Sequence, residues 1–347
     1  MSYIIYVFPI HIITAWITGH LWPWPLIVGL SLSVSTLVTL CFRAKLTTPW
    51  LKALLHTGMG AGYLMSLITG LGLLLSSLYP VSPLILALGS LIMGSLLFSV
   101  AWVQGQRIHL RPVSIQHAKI CRSHRFVFIS DVHVGTRSNR HLHKIISRIQ
   151  ALSPEFVLIG GDLIDSSAIT INHLDAFKRL TMPIYFVTGN HEYYLKHHAT
   201  LLSQLEQVNI KWLNNNSIQH DTIHLIGISD NQSIQEQTSH VTQRMKKYPH
   251  AFSLAIIHKP HCFDAMPIPP DLMLSGHTHN GQLFPFGWLV KCQFPRIYGR
   301  YIKHNHTLYV SSGVGTWGTP LRLGSINEIV SIELNPLVNF ENMRPHD

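Results

Sequence analysis

No aspartate or glutamate occurs in residues 1–103, and the only lysines or arginines there are Arg43, Lys45 and Lys52. Apolar stretches run through 3–19, 24–42, 54–78 and 82–103. A helix of ~20 mostly apolar residues spans a bilayer, so four transmembrane helices are predicted, the first the shortest. A buried core helix rarely runs so long without a charge. A cleavable leader has a basic start and one apolar segment rather than four. The expected organisation is a transmembrane region over 1–104, a linker over 105–124 and a folded domain over 125–347.

Loop charge gives an expected orientation. The second connection carries Arg43, Lys45 and Lys52, and Arg107 and Arg111 follow the fourth stretch, while the first and third connections carry no lysine or arginine. Positive loops stay in the cytoplasm, which predicts a multi-pass inner (cytoplasmic) membrane protein with its N-terminus and folded domain inside. A first stretch that does not cross would reverse the domain's side. Cys41, Cys121, Cys262 and Cys292 have no close spacing, which suggests neither a disulfide framework nor a zinc knuckle and suits a reducing cytosol.

The charged residues missing at the start are concentrated later, in five short clusters of fixed order. These are Asp131-Val-His133, Gly161-Asp162, Gly189-Asn190-His191-Glu192, His258 and Gly276-His277-Thr-His279. Short apolar runs precede them, at 125–130 (RFVFIS), 156–159 (FVLI), 184–188 (IYFVT), 254–257 (LAII) and 272–274 (LML). Each run reads as a buried strand whose end delivers a polar side chain to a sheet edge. Between the first two, Leu142, Ile145, Ile146, Ile149 and Leu152 have helical spacing over 140–152. Strand, loop, helix and strand in this order indicate an α/β layer fold. Carboxylate, imidazole and amide oxygen together suit two borderline or hard divalent ions. Such a pair performs in-line hydrolysis at phosphorus. Taken singly each cluster is an ordinary loop; their joint order carries the reading.

That order resembles the calcineurin-like metallophosphoesterase superfamily. The contexts 189–194 (GNHEYY), 276–282 (GHTHNGQ) and 312–320 (SGVGTWGTP) followed by Leu321-Arg322 are similar to its membrane-associated bacterial branch. The resemblance covers about 125–334, with Asn280 standing where that branch often has glycine. It implies a four-layer α/β/β/α sandwich behind the all-α transmembrane region. It also implies that Asp131, His133 and His279 hold one metal, that Asn190, His258 and His277 hold the second, and that Asp162 bridges both. A metal-bridging water would then be the nucleophile, and His191 would protonate the leaving oxygen or stabilise transition-state charge. Asp165, Glu192 and Arg322 are candidates for supporting or phosphate-contacting groups, with structural roles equally open. The cofactor expected is two divalent ions, manganese first, with iron or zinc as alternatives.

Of the net charge of +10, +3 lies in residues 1–103, leaving +7 for the remainder. A basic domain beside a bilayer attracts anionic lipid heads and phosphate-bearing substrates, although the same excess serves ordinary solubility. Other histidines, including His141, His143, His197, His198, His304 and His306, are expected at the surface. The apolar and aromatic segment 283–298 reads either as a lid or acyl-chain groove or as a packed hairpin. The expected partners are the bilayer and a phosphorylated small molecule, lipid-linked or soluble, with no nucleic acid. Some membrane-associated relatives cleave the lipid A precursor UDP-diacylglucosamine at its pyrophosphate, which makes it the specific candidate. A broad-specificity phosphoesterase and a non-catalytic metal-binding scaffold or sensor are the alternatives.

Overall fold

The computed structural model describes residues 1–43 and 49–337, so Lys45 and residues 338–347 lie outside the described part. The chain forms two compact units: residues 1–106 with 318–323, and 107–317 with the chain from 324 onward.

The first unit is helical. Its main helices are α1 (Phe8–Thr18), α2 (Trp24–Arg43), α3 (Pro49–Leu78) and α4 (Pro83–Gln106), with a π-helical turn Tyr3–Val7 before α1. Prolines open α3 and α4, where the missing amide hydrogen and fixed φ cost nothing. Hydroxyls inside the helices bond back to their own backbone, as Thr69 Oγ1 does to the Met65 carbonyl at 2.9 Å and Ser99 Oγ to the Ser95 carbonyl at 2.8 Å. Leu71, Ile85, Ile92 and Leu96 are exposed, the arrangement of a helix that turns an apolar side to lipid rather than water. Two segments, Leu51–Leu78 and Pro83–Gln106, are long and apolar enough to cross a membrane by length and composition; Tyr3–Thr18 and Trp24–Leu40 are shorter apolar helices. These two long helices suit membrane association. Arg322 belongs to this unit, fully buried, with its amide on the Ala101 carbonyl at 3.0 Å.

The second unit is a four-layer α/β/β/α sandwich. One sheet has the order β1 (Ile108–His117), β12 (Asn327–Pro336), β2 (His124–Ile129), β3 (Val157–Gly160), β4 (Ile184–Val187) and β5 (Ile210–Trp212). The other has the order β10 (Gly299–Lys303), β11 (His306–Val310), β9 (Leu272–Ser275), β8 (Phe252–Ile257), β7 (Ile223–Ile228) and β6 (Asn216–His220). From β2 to β5 and from β7 to β11 each neighbouring pair is parallel, so the strand ends of each series fall on one edge. That is where open α/β sheets place their sites.

Side-chain alternation explains the layering. Phe126 and Phe128 of β2 and Leu158 of β3 point between the sheets, where they meet Leu254 and Ile256 of β8 and Leu272 and Leu274 of β9. Their neighbours Val127, Ile129, Val157 and Ile159 face the opposite way, against Leu142, Ile145, Ile146 and Ile149 of helix α5 (Asn139–Leu152). Ala255, Ile257 and Met273 likewise leave the middle for a third cluster with Val241, Cys262 and Phe263. A strand buried on both faces is apolar at every position rather than at every second one, and this makes the runs continuous in sequence.

Two expectations are corrected. Residues 105–124, read as a linker, contain β1, which pairs in parallel with β12 over its full length. Pro112 and Arg111 concealed it, yet proline is tolerated on an edge strand, where it leaves no ladder bond unmade. His141, expected at the surface, lies on the buried face of α5 and donates from Nε2 to the Val314 carbonyl at 2.8 Å.

Asp271 couples two strands of the second sheet. It accepts from Ser253 N at 2.8 Å, Ser253 Oγ at 2.8 Å and Lys119 Nζ at 2.8 Å. Burial would raise its carboxyl pKa, but Lys119 and the Ser253 donors hold it below the ordinary aspartate range. Asp271→Ala is expected to destabilise the domain by about 2–3 kcal/mol, the scale of hydrogen bonds to a charged group. Because the folded pKa is depressed, that contribution is present above the unfolded pKa of about 3.9 and fades as pH falls below it. Urea unfolding of wild type and variant at neutral and acid pH measures both effects; equal stability at neutral pH would refute the assignment.

Candidate metal centre

The strand ends converge. Asp131 and His133 follow β2, Asp162 follows β3, Asn190 opens helix α6 (Asn190–Tyr194) after β4, His258 follows β8, and His277 and His279 follow β9. Ligand atoms of Asp131, His133 and His279 all lie within 4.8 Å of one another, as do those of Asp162, His258 and His277. His133 Nε2 and His279 Nε2 are 3.2 Å apart, and His279 Nε2 is 3.4 Å from Asp131 Oδ1. In the second group His258 Nε2 is 3.1 Å from Asp162 Oδ2 and 3.2 Å from His277 Nδ1.

The backbone is shaped to this purpose. Asp131, His133, Asp162, His277 and His279 all have positive φ, between 49° and 72°, a conformation that side-chain-bearing residues adopt at a cost of order 1–3 kcal/mol each. Such turns let side chains at one strand end swing inward together. Close approach requires glycine beside them: a Cβ on Gly189 would overlap the Asp162 carboxylate, and one on Gly276 the Asp131 carboxylate. Asn280 takes φ 51°, a region asparagine tolerates, so its replacement of glycine is accommodated.

The donor set fits divalent ions. Asn190 donates from Nδ2 to Tyr194 Oη at 3.2 Å, while its buried Oδ1 has no hydrogen-bond partner. A buried amide oxygen without a partner is costly and is well suited to a cation. His258 donates from Nδ1 to the Gly160 carbonyl at 2.8 Å, which fixes its tautomer and turns Nε2 toward Asp162. Burial opposes a charge on Asp162, but facing His258, with His133 and His191, holds its pKa far below the carboxylate range. Burial and the adjacent His258 push the His277 pKa down to about 2.

Asp165 and Glu192 have clear places. Asp165 hydrogen-bonds His191 Nδ1 at 2.5 Å and Thr136 Oγ1, and its Oδ2 is 3.4 Å from His133 Nδ1. His133, Asp165 and His191 form a third close group, but both Asp165 oxygens are already engaged, so it orients two imidazoles rather than offering a free ligand. His191 Nε2 is then 3.9 Å from Asp162 Oδ2. Glu192 is buried and accepts from the amides of Asp162 at 3.1 Å, Ile164 at 2.9 Å and Gly189 at 2.7 Å, fastening the β3 loop to the β4 loop. Burial and the Asp162 charge raise its pKa to about 7 against those amide donors.

Sequence reasoning assigned no part to Ser130, whose Oγ donates to Asp131 Oδ2 at 2.6 Å. Its position beside a ligand was the available signal. The segment 283–298 is not a hairpin: it contains a short helix, Gly287–Gln293, with Phe284, Phe286, Trp288 and Leu289 exposed. Phe294 is buried, its ring 4.8 Å from that of His277.

Residues 124–281 match the model of the calcineurin-like phosphoesterase family. The domain that spans them belongs to that family. It is similar to an uncharacterized metallophosphoesterase of Helicobacter pylori, 32% identical over 247 residues, covering 66% of this chain and 65% of that protein. It is also similar to a transmembrane protein with metallophosphoesterase domain from Danio rerio, 33% identical over 240 residues, covering 60% of this chain and 53% of that one. The chain thus spans between about half and just under two thirds of the length of these curated relatives. Among solved structures, the protein TT1561 of Thermus thermophilus is similar with 10% identity and a TM-score of 0.37, covering 55% of this chain and 89% of that one.

Proposed function

We propose that this metallophosphoesterase domain hydrolyses a membrane-associated phosphate or pyrophosphate ester with two divalent ions, manganese first among them. The observation that carries this reading is the pair of ligand groups built from four strand ends, with the partnerless Asn190 Oδ1 of a fifth beside them. Two such ions activate water and draw charge from the phosphoryl group. Asp131, His133 and His279 are the residues for one ion and Asn190, His258 and His277 for the other. Asp162 would be the carboxylate shared between them. Its Oδ1 also accepts the His191 amide at 2.9 Å, so the carboxylate sets the height of that histidine. His191, braced by Asp165, is the group that donates a proton to the leaving oxygen. In a site walled by the buried strand ends this transfer needs no reorganisation of bulk water.

The substrate class is argued from the rest of the chain. The helical unit supplies apolar helices of membrane-crossing length, and a Danio rerio relative is named as a transmembrane protein. The placement of Arg43, Lys45, Lys52, Arg107 and Arg111 supports reading it as a multi-pass inner-membrane protein with its domain in the cytoplasm. UDP-diacylglucosamine is the specific candidate, and a broad-specificity phosphoesterase or a metal-binding scaffold are the competing readings. Purified protein with Mn²⁺ should release product from one or more members of a panel of lipid-linked pyrophosphates that includes UDP-diacylglucosamine. Turnover of none of them, with soluble esters cleaved readily, would replace the membrane substrate with the broad-specificity reading.

Sidedness has its own test. A reporter active only in the cytoplasm, fused after Asp347, should be active, and a periplasmic reporter at the same place should be silent. The opposite pattern would mean that the first apolar stretch does not cross, and a cytoplasmic substrate pool would be ruled out.

A further inference from the structure

His191 does not face open water alone. The ring of Tyr194 lies 5.3 Å from its imidazole and that of Trp317 lies 6.5 Å away, centroid to centroid, at angles of 59° and 79°. Both aromatic residues are well exposed, Tyr194 at 71% and Trp317 at 54%. An exposed tryptophan on a loose loop would mean little, but the backbone of this one is anchored on both sides. Gln282, at the end of the loop that carries His277 and His279, donates from Nε2 to the Trp317 carbonyl at 2.9 Å and accepts the Trp317 amide on Oε1 at 2.9 Å. The Gln282 backbone carbonyl is held in turn by Ser325 Oγ at 2.8 Å. Tyr194 is tied to the centre through its hydroxyl, which accepts from the ligand residue Asn190. Two aromatic rings, one on an anchored backbone and one tied through its hydroxyl, therefore stand beside the imidazole assigned to the leaving group, with large apolar surface left in water.

Resting on the phosphoesterase reading above, we infer that Trp317, with Tyr194, forms a stacking rest for a planar aromatic ring on the substrate's leaving side. Aromatic rings gain from offset or edge contacts with another π system beyond the area they cover. A saturated ring of the same size receives only the area term. The ring on the leaving side can be an aryl group or a nucleobase, since both present the same flat face. Trp317 is thus a specificity residue whose effect falls on substrate binding.

The test compares two phosphate monoesters that differ only in flatness, benzyl phosphate and cyclohexylmethyl phosphate, with uridine 5′-monophosphate as a third arm. KM and kcat are measured with the Mn²⁺-loaded full chain for wild type, Trp317→Ala and Trp317→Phe. Binding of the same compounds is followed separately by calorimetry, which requires no turnover. Base–aromatic stacking measured by alanine substitution corresponds to about 5- to 150-fold in affinity. The preference for benzyl over cyclohexylmethyl, read as the ratio of KM values, should fall by that amount in Trp317→Ala and return in Trp317→Phe. A shift confined to uridine 5′-monophosphate would identify the ring as a nucleobase, and a shift in both aromatic compounds a general π rest. Equal losses for the flat and saturated compounds, or no loss, would overturn the inference. Selective binding without hydrolysis would leave the stacking rest standing and instead count against the phosphoesterase reading.

Discussion

The Asp162→Ala variant is expected to bind well under about one divalent ion per chain where the wild type binds about two, and to lose detectable turnover. The carboxylate is buried, faces His258 at 3.1 Å through Oδ2, and anchors the His191 amide through Oδ1. As the proposed bridge, its loss would deprive both ligand groups and free the loop that carries the proposed acid. Asp131→Ala should act mainly on the group of His133 and His279, because Asp131 Oδ1 lies 3.4 Å from His279 Nε2. Metal analysis of the purified variants separates the two. Retention of two ions by Asp162→Ala would sink the bridging assignment while leaving the two groups themselves in place.

A second large effect is expected at His191 and is of a different kind. His191→Ala should keep near-normal metal content and lose turnover by roughly 10²–10⁴, the scale of a positioned proton-transfer group. The loss should be greatest for alkyl esters, whose leaving oxygen needs the proton, and smallest for nitrophenyl esters, whose leaving oxygen does not. The 2.5 Å bond to Asp165 predicts that Asp165→Asn lies between wild type and His191→Ala, since it leaves the imidazole present but poorly oriented. Full activity of His191→Ala on an alkyl phosphate would exclude the role.

Much of this was legible because the strands that carry the ligands are buried on both faces. Phe126 to Ile129, Val157 to Ile159 and Leu254 to Ile257 are apolar at successive positions, so each run and its polar terminus stand out against the rest of the chain. Helix α5 was readable from a single apolar stripe. The strands at or near the sheet edges were harder. In β1, alternation is interrupted by Arg111 and Pro112, and burial is confined to Ile108 and Ile115; its pairing with β12 joins residues more than 200 positions apart. The supporting groups were unclear for the same reason. Nothing adjacent to Glu192 in sequence announces that it accepts the amides of Asp162 and Ile164, about 30 residues earlier. The position of Trp317 depends on Gln282, 35 residues away. Ligand identity is a local property of strand ends, whereas orientation of the ligands is a property of the assembled layers.

The claim that two ions in this centre perform the chemistry is tested most directly by stripping the purified full chain with a chelator and returning Mn²⁺ stepwise, while following ion binding and phosphate release together. The stripped protein should be inactive, about two ions should bind per chain, and turnover should appear with the second. Full hydrolysis by the stripped protein, turnover that saturates with a single ion, or two bound ions with no hydrolysis of any phosphoester would contradict it.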